Sequence, residues 1–233
     1  MNDYDVMTRA ARYPPDEEED YPIWYDGKKI NEVLFCEEFL QDHPMLCVRD
    51  VFFTTEGRVT DESMLKKEIL DRIKPYVTSG VAKRAANLLD ALRVECWSPP
   101  LPVYQNRIHV ANGTLFLNGR FAEEKEFCVN RLPVYYIPDT PRPVQWLTFL
   151  DDLLEPDDIL TLQEYLGYCL IPSTKGQKML IITGKGGEGK SRIGLVMRSL
   201  LGRNMNTSSI AKVETNPFAR ADLEHQLLLV DDD

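Results

Sequence analysis

The stretch from Lys178 to Ile193 constrains this chain more than any other. It reads K-M-L-I-I-T-G-K-G-G-E-G-K-S-R-I. Gly184, Gly189, Lys190 and Ser191 fill every fixed position of the phosphate-binding pattern G-x-x-x-x-G-K-[ST], with Lys185, Gly186, Gly187 and Glu188 between them. The flanks suit it. Met179–Thr183 is an apolar, β-rich run of strand length, and Ile193–Leu201 has the composition of a helix. The residue types follow from the chemistry. Backbone N–H groups must turn inward around an anion, and glycine alone reaches the necessary dihedrals without cost. The helix start adds partial positive charge. In this pattern the lysine, Lys190, reaches the outer phosphates of a nucleotide such as ATP, and the hydroxyl of Ser191 holds Mg²⁺.

A loop of this kind needs an acidic partner. Gln226–Asp233 reads Q-L-L-L-V-D-D-D, an apolar strand ending in carboxylates about forty residues after the loop. One carboxylate serves the Mg²⁺ shell and a neighbour orients or polarises the attacking water. Three consecutive aspartates leave the register open. Asp231 and Asp232 are the favoured pair, with Ser191 and Asp231 as the Mg²⁺ ligands and Lys190, Asp231 and Asp232 as the catalytic set.

The net charge is −10, an unfavourable balance for a nucleic-acid binder taken at face value. Most of it sits at the ends. Residues 1–20 hold seven acids against Arg9 and Arg12, and Asp231–Asp233 hold three more, so the intervening chain is near −2 and has room for a local basic patch. Cys36, Cys47, Cys96, Cys128 and Cys169 include no C-x-x-C pair, which argues against zinc and against a secreted disulfide framework; they read as reduced, small core residues. His43, His109 and His225 are isolated and read as structural. No apolar run approaches the roughly twenty residues of a membrane span. The polar N-terminus has no secretory apolar segment, so a cytoplasmic location is expected, with no membrane partner.

The 233 residues fit one to two domains. Residues 1–20 end in paired prolines and an acidic run and read as a solvated tail or linker. Residues 21–104 read as a compact α+β unit. Asn31 caps a helix carrying Val33, Leu34, Phe39 and Leu40; Leu46–Thr54 is a strand; Asp61 caps a helix carrying Met64, Leu65, Ile69 and Ile73. A helix over about Val81–Val94 turns Ala85, Leu88, Leu89 and Leu92 inward. Its other face carries Lys83, Arg84 and Arg93, a solvated face in the plainer reading and phosphate contacts in the other. Residues 105–137 read as a β-meander with turns at Asn112–Gly113 and Asn118–Gly119, between strands Ile108–Val110, Thr114–Leu117 and one near Phe127–Val129. Pro138, Pro141 and Pro143 force a break. Two helices follow over 144–171, one with Trp146, Phe149, Leu150 and Leu153 on a stripe, read as packing. Asn216–Pro217–Phe218 reads as a break in the last segment.

In this order the motifs resemble the C-terminal part of phage and plasmid primase–helicases, ring-forming motors of helicase superfamily 3. Asn112–Gly113–Thr114–Leu115 with Asn130–Arg131–Leu132–Pro133–Val134–Tyr135–Tyr136 resembles one family region. Trp146, Phe149 and Leu150 with Leu162–Gln163–Glu164–Tyr165–Leu166–Gly167–Tyr168 resembles the helical collar. G-K-G-G-E-G-K-S and L-L-L-V-D-D-D resemble the first and second nucleotide motifs. The resemblance runs from about residue 22 to the end. It implies an α+β N-terminal domain (21–140), a helical collar (141–171) and an incomplete α/β P-loop core of AAA+-like type (172–233). It also implies ATP and Mg²⁺ as cofactors, a homo-oligomeric ring, commonly a hexamer, and single-stranded DNA and replication proteins as partners, in a phage- or plasmid-encoded protein of a bacterial host. The function expected is an ATP-dependent DNA helicase of replication.

The later motor motifs of that family, and its preceding primase domain, have no counterpart in these residues. A fragment of a longer protein, with little or no turnover by itself, is therefore expected. In related ring ATPases a further strand separates the acidic strand from the phosphate-loop strand. Without it Met179–Asp233 is expected to be marginally stable, its acidic strand facing a gap in the hydrogen-bond ladder. Two other readings stand beside the helicase. One is a non-enzymatic DNA-binding or ring-assembly module built on residues 21–171. The other is a P-loop kinase, which would share the loop but need a phosphoryl acceptor.

Overall fold

The computed structural model describes residues 21–232; the acidic stretch 1–20 and Asp233 lie outside the described residues. The described part is mixed α/β, with helices packed around three small sheets. None of its helices is long and apolar enough to cross a membrane.

The first unit is built from α1 (Glu32–Asp42), β1 (Met45–Val48), β2 (Val51–Thr54), β3 (Gly57–Arg58), α2 (Glu62–Ile73) and α3 (Val81–Glu95). Asn31 caps α1 by accepting from the Leu34 amide, and Asp61 caps α2 by accepting from the Ser63 amide. Each satisfies one donor that the first helical turn leaves free. Trp24, Phe35, Phe39, Phe52, Ile69, Ile73, Leu88 and Leu92 fill one core between the helices and the sheet. Burying a Phe or Leu of this kind contributes about 1.5–3 kcal/mol.

The single strand expected over Leu46–Thr54 is instead a hairpin, with Met45 opposite Thr54 and Val48 opposite Val51. Its two-residue turn puts Arg49 and Asp50 at φ 49° and 62°, the left-handed pair that hairpins favour. Asp tolerates this conformation, but Arg carries no such signal. The helix over Val81–Glu95 forms as read, with Ala85, Leu88, Leu89 and Leu92 buried. Arg93, however, is not a free cation for a phosphate. Its guanidinium pairs with Glu62, donates to the Asp50 carbonyl at 2.7 Å and lies 4.9 Å from the Phe52 ring centre.

The second sheet contains β4 (Arg107–Val110), β5 (Gly113–Phe116) and β6 (Phe121–Ala122). Two details differ from the sequence reading. The third strand is Phe121–Ala122, not Phe127–Val129, because the Asn118–Gly119 turn returns the chain at once to pair with β5. The first turn consists of Ala111 and Asn112, with Gly113 already in the ladder opposite Val110. A Cβ on Gly113 would collide with the Ala122 carbonyl oxygen, so glycine here permits a close strand approach. Asn112 has its own task. Its amide donates to the Tyr136 carbonyl at 2.8 Å and accepts from the Tyr136 amide at 2.9 Å, holding residues 131–136 along the sheet. Leu132 N–H to His109 O and Ala111 N–H to Val134 O continue that edge.

The remainder comprises α4 (Val144–Leu153), α5 (Pro156–Tyr168), α6 (Lys190–Leu201), a 3₁₀ turn (Gly202–Asn204), β7 (Met205–Thr207), α7 (Ile210–Thr215), α8 (Pro217–Ala221) and β8 (Leu228–Val230). Asn216–Pro217–Phe218 starts α8 rather than breaking the pattern: the Asn216 side chain caps the Phe218 amide and Pro217 takes the first helical position. A shared core of Val110, Leu132, Cys169, Met197, Leu201 and Met205 joins the meander to α6 and to the end of α5. Asn204 stitches it. The buried Asn204 amide donates to the Arg131 and Leu201 carbonyls, each at 2.8 Å, and accepts from Asn130 at 3.1 Å. On the other side Arg203 donates to the Arg58 and Glu56 carbonyls, tying the 3₁₀ turn to the first unit.

Candidate phosphate-loop site

The loop sits between an extended run and α6. Gly186, Gly187 and Gly189 take φ of 60°, 79° and 100°. Nothing lies within 4 Å of a Cβ built at Gly186 or Gly187, so their glycines answer to the dihedral and not to crowding. Gly189 is the residue before α6 and has no side chain to cap the helix; the Arg192 amide returns to the Gly189 carbonyl at 2.9 Å, which leaves the Lys190 and Ser191 amides open to an anion. A Cβ there would also meet the ring of Phe149 at 3.2 Å, so a residue of α4 packs onto the last glycine of the loop. Lys185 and Ser191 are exposed, and Lys190 begins α6.

The acidic strand arrives as anticipated, and its register becomes explicit. The Ser191 hydroxyl donates to Asp232 Oδ1 at 3.2 Å. Asp231 does something else: its Oδ2 accepts from the Ile210 amide at 2.8 Å and so caps α7, whose preceding Ser209 makes no cap bond of its own. The structure therefore brings Asp232, and not Asp231, beside Ser191. Asp231 and Asp232 follow directly on β8, and their carboxylates reach different elements, the start of α7 and the start of α6. Asp231, expected beside Asp232 at the cation, is instead the carboxylate that accepts from the Ile210 amide. Asp233 lies outside the described residues.

The strand expected over Met179–Thr183 has no ladder among the described residues. Leu180 and Ile182 turn toward Leu150, Leu162 and Ile193, while Met179 and Ile181 are largely exposed. Residues 179–183 make no main-chain to main-chain hydrogen bond among the described residues. Side-chain alternation is thus present and pairing is not. The parallel pair β7–β8 forms a two-stranded sheet by itself, with Met205 opposite Leu228 and Thr207 opposite Val230.

The donor set suits a hard cation. Among the described residues no three His, Cys, Asp or Glu side chains converge as a metal site. A hydroxyl and one carboxylate beside a phosphate-binding loop match the habit of Mg²⁺, which takes few protein ligands and completes its shell with phosphate oxygens and water.

Other titratable groups are occupied structurally. His43 pairs with Glu68 at 2.7 Å, and His225 lies 3.5 Å from Glu224. His109 is buried, 3.2 Å from the Thr114 hydroxyl; burial, with the neighbouring Arg131 charge, pushes its pKa down to about 4. The five cysteines are buried and free. Burial raises the thiols, Cys96 to about 12 and Cys36 and Cys128 to about 11, so they are poor nucleophiles. Of the basic residues on α3, Arg84 lines a cleft of about 300 Å³ with Lys28, Lys29 and Asn87, and Glu32 on its rim. The lysine pair was not marked by the sequence reading; the Asp26–Gly27 turn that presents it was the available signal. No protein-family model and no curated protein matches the chain.

Proposed function

We propose that residues 178–232 form the Mg²⁺–ATP site of a phosphate-loop ATPase, and that the whole protein is an ATP-driven motor on single-stranded DNA of the phage and plasmid primase–helicase kind. The observation that carries the nucleotide reading is the approach of Asp232 to Ser191 across 41 residues of chain. Neither residue gains from the other structurally, since both are exposed and the contact is a single surface hydrogen bond. A metal shell gives the pair a reason. The helicase part rests on the ordered resemblance of the loop, the collar and the Asn112 and Asn130–Tyr136 stretches.

The chain's residues divide the work as follows. Loop amides and the open start of α6 bind the phosphates. Lys190 neutralises their outer oxygens, and Ser191 and Asp232 hold the cation. Mg²⁺, when bound, offsets charge on the transferred phosphoryl group. Asp231 anchors α7 and so fixes the strand end that presents Asp232. Catalysis by such a site is positioning and charge stabilisation.

The test is Mg²⁺-dependent binding of a fluorescent ATP analogue to the chain beside Lys190→Ala. Binding that disappears in the variant supports the site; binding that survives it refutes the site. A DNA-binding module is the second reading, favoured by the cleft of Lys28, Lys29 and Arg84. Salt-sensitive DNA binding that is lost in a Lys28→Glu, Lys29→Glu, Arg84→Glu variant, with nucleotide binding absent throughout, would favour it.

A further inference from the structure

Glu188 holds a position that the phosphate reading alone does not explain. Its carboxylate folds back over Gly184, so that a Cβ on Gly184 would run into Glu188 Oε2 and stand 2.9 Å from Lys190 Nζ. Glu188 Oε2 is itself 3.5 Å from Lys190 Nζ. The first glycine of the loop, the conserved-pattern lysine and a carboxylate from the loop's own interior therefore meet at one point. In this pattern the lysine's partner is a phosphate oxygen. Here the partner is a carboxylate oxygen, an anion of similar reach but lower charge.

We infer that Glu188 is a built-in competitor for the phosphate position, so that nucleotide binding requires its carboxylate to swing out of the loop. The inference rests on the nucleotide reading of the same site. Two features make the swing practicable. Glu188 is flanked by Gly187 and Gly189, both at positive φ with no Cβ to resist peptide rotation. The ion pair is also long and partly solvent-exposed, so it opposes the ligand weakly. A triphosphate with its cation brings several charges and many amide contacts against one carboxylate. A single free phosphate brings far less. The loop thus discriminates by charge and reach before any base or sugar contact forms.

The competitor is tested by titrating the full chain, Glu188→Gln, Glu188→Ala and Lys190→Ala with a fluorescent ATP analogue in Mg²⁺, and with inorganic triphosphate as displacer. Gln keeps the shape and removes the charge; Ala removes both. Both Glu188 variants are expected to bind about two- to fivefold more tightly than the parent, the change that an exposed charge pair carries. Equal or weaker binding by both, with the parent binding and Lys190→Ala not, overturns the competitor and leaves the nucleotide site standing. No binding by the parent or by either Glu188 variant overturns both.

Discussion

Ser191 and Asp232 meet at 3.2 Å, hydroxyl to carboxylate, although 41 residues separate them in the chain. Asp231, one residue earlier, points the other way and closes the start of α7 on the Ile210 amide.

The two aspartates should therefore fail differently. Asp232→Asn is expected to raise the Mg²⁺ concentration needed for nucleotide binding by at least the roughly tenfold that losing even an outer partner of a metal site costs. Asp231→Ala should leave that Mg²⁺ requirement within about twofold and lower stability by about 1 kcal/mol, as loss of a helix cap does. Mg²⁺ titrations and urea unfolding of the two variants separate these outcomes. A larger Mg²⁺ effect from Asp231 would reverse the assignment.

The extended run before the loop should exchange its amides readily. Among the described residues Met179–Thr183 has no main-chain partner, whereas β1 and β2 pair along four residues in the first core. Hydrogen exchange on the intact chain is expected to show the 179–183 amides near the unprotected rate and that of Cys47, which donates to the Cys96 carbonyl at 2.7 Å, strongly slowed. Strong protection over 179–183 would mean that the run before the loop has found a strand partner.

Acid should loosen the meander through His109. Its folded pKa lies near 4, lowered by burial and by Arg131, against about 6.5 for a free histidine. Between these values the unfolded chain binds more protons, so the stability tied to neutral His109 is complete above about pH 6.5 and is lost as the pH falls toward 4. The urea midpoint of the parent should drop across that window more steeply than that of His109→Gln. Parallel profiles would remove His109 as the cause.

Gly113 should tolerate no side chain. It sits at φ 152°, and a Cβ would strike the Ala122 carbonyl oxygen, which belongs to the sheet backbone and has little room to yield. Gly113→Ala is expected to cost about 1–3 kcal/mol in thermal or urea unfolding, the usual range for forced overpacking. Gly119→Ala meets nothing within 4 Å and carries only the dihedral penalty at φ 87°, so it should cost less.

Much of this was legible residue by residue. Caps at Asn31 and Asp61, the stripe Ala85–Leu88–Leu89–Leu92 and the helix after Lys190 follow from side-chain chemistry within one or two turns, and they form where that chemistry puts them. The short-range signals stopped where partners are distant. Nothing local distinguishes Asp231 from Asp232; only the positions of α7 and α6 do. Arg49–Asp50 carries no glycine, so its turn was hidden inside an apparent strand. Met179–Thr183 has every local mark of a strand, but a ladder needs a neighbour, and no feature of five residues reports whether one is there. Arg93 looked like a free cation because Glu62, its partner, lies 31 residues earlier on another helix.

Arg131 has a consequence of another kind. It is buried, and among the described residues its guanidinium donates to three backbone carbonyls: Val110 at 2.6 Å, Gly113 at 3.2 Å and Glu126 at 2.7 Å. A ring of carbonyl oxygens facing one positive charge is how proteins cage an alkali ion. Here the cage holds a cation that is covalently part of the chain. The positive charge at this point of the meander is therefore placed by the chain itself and arrives with folding.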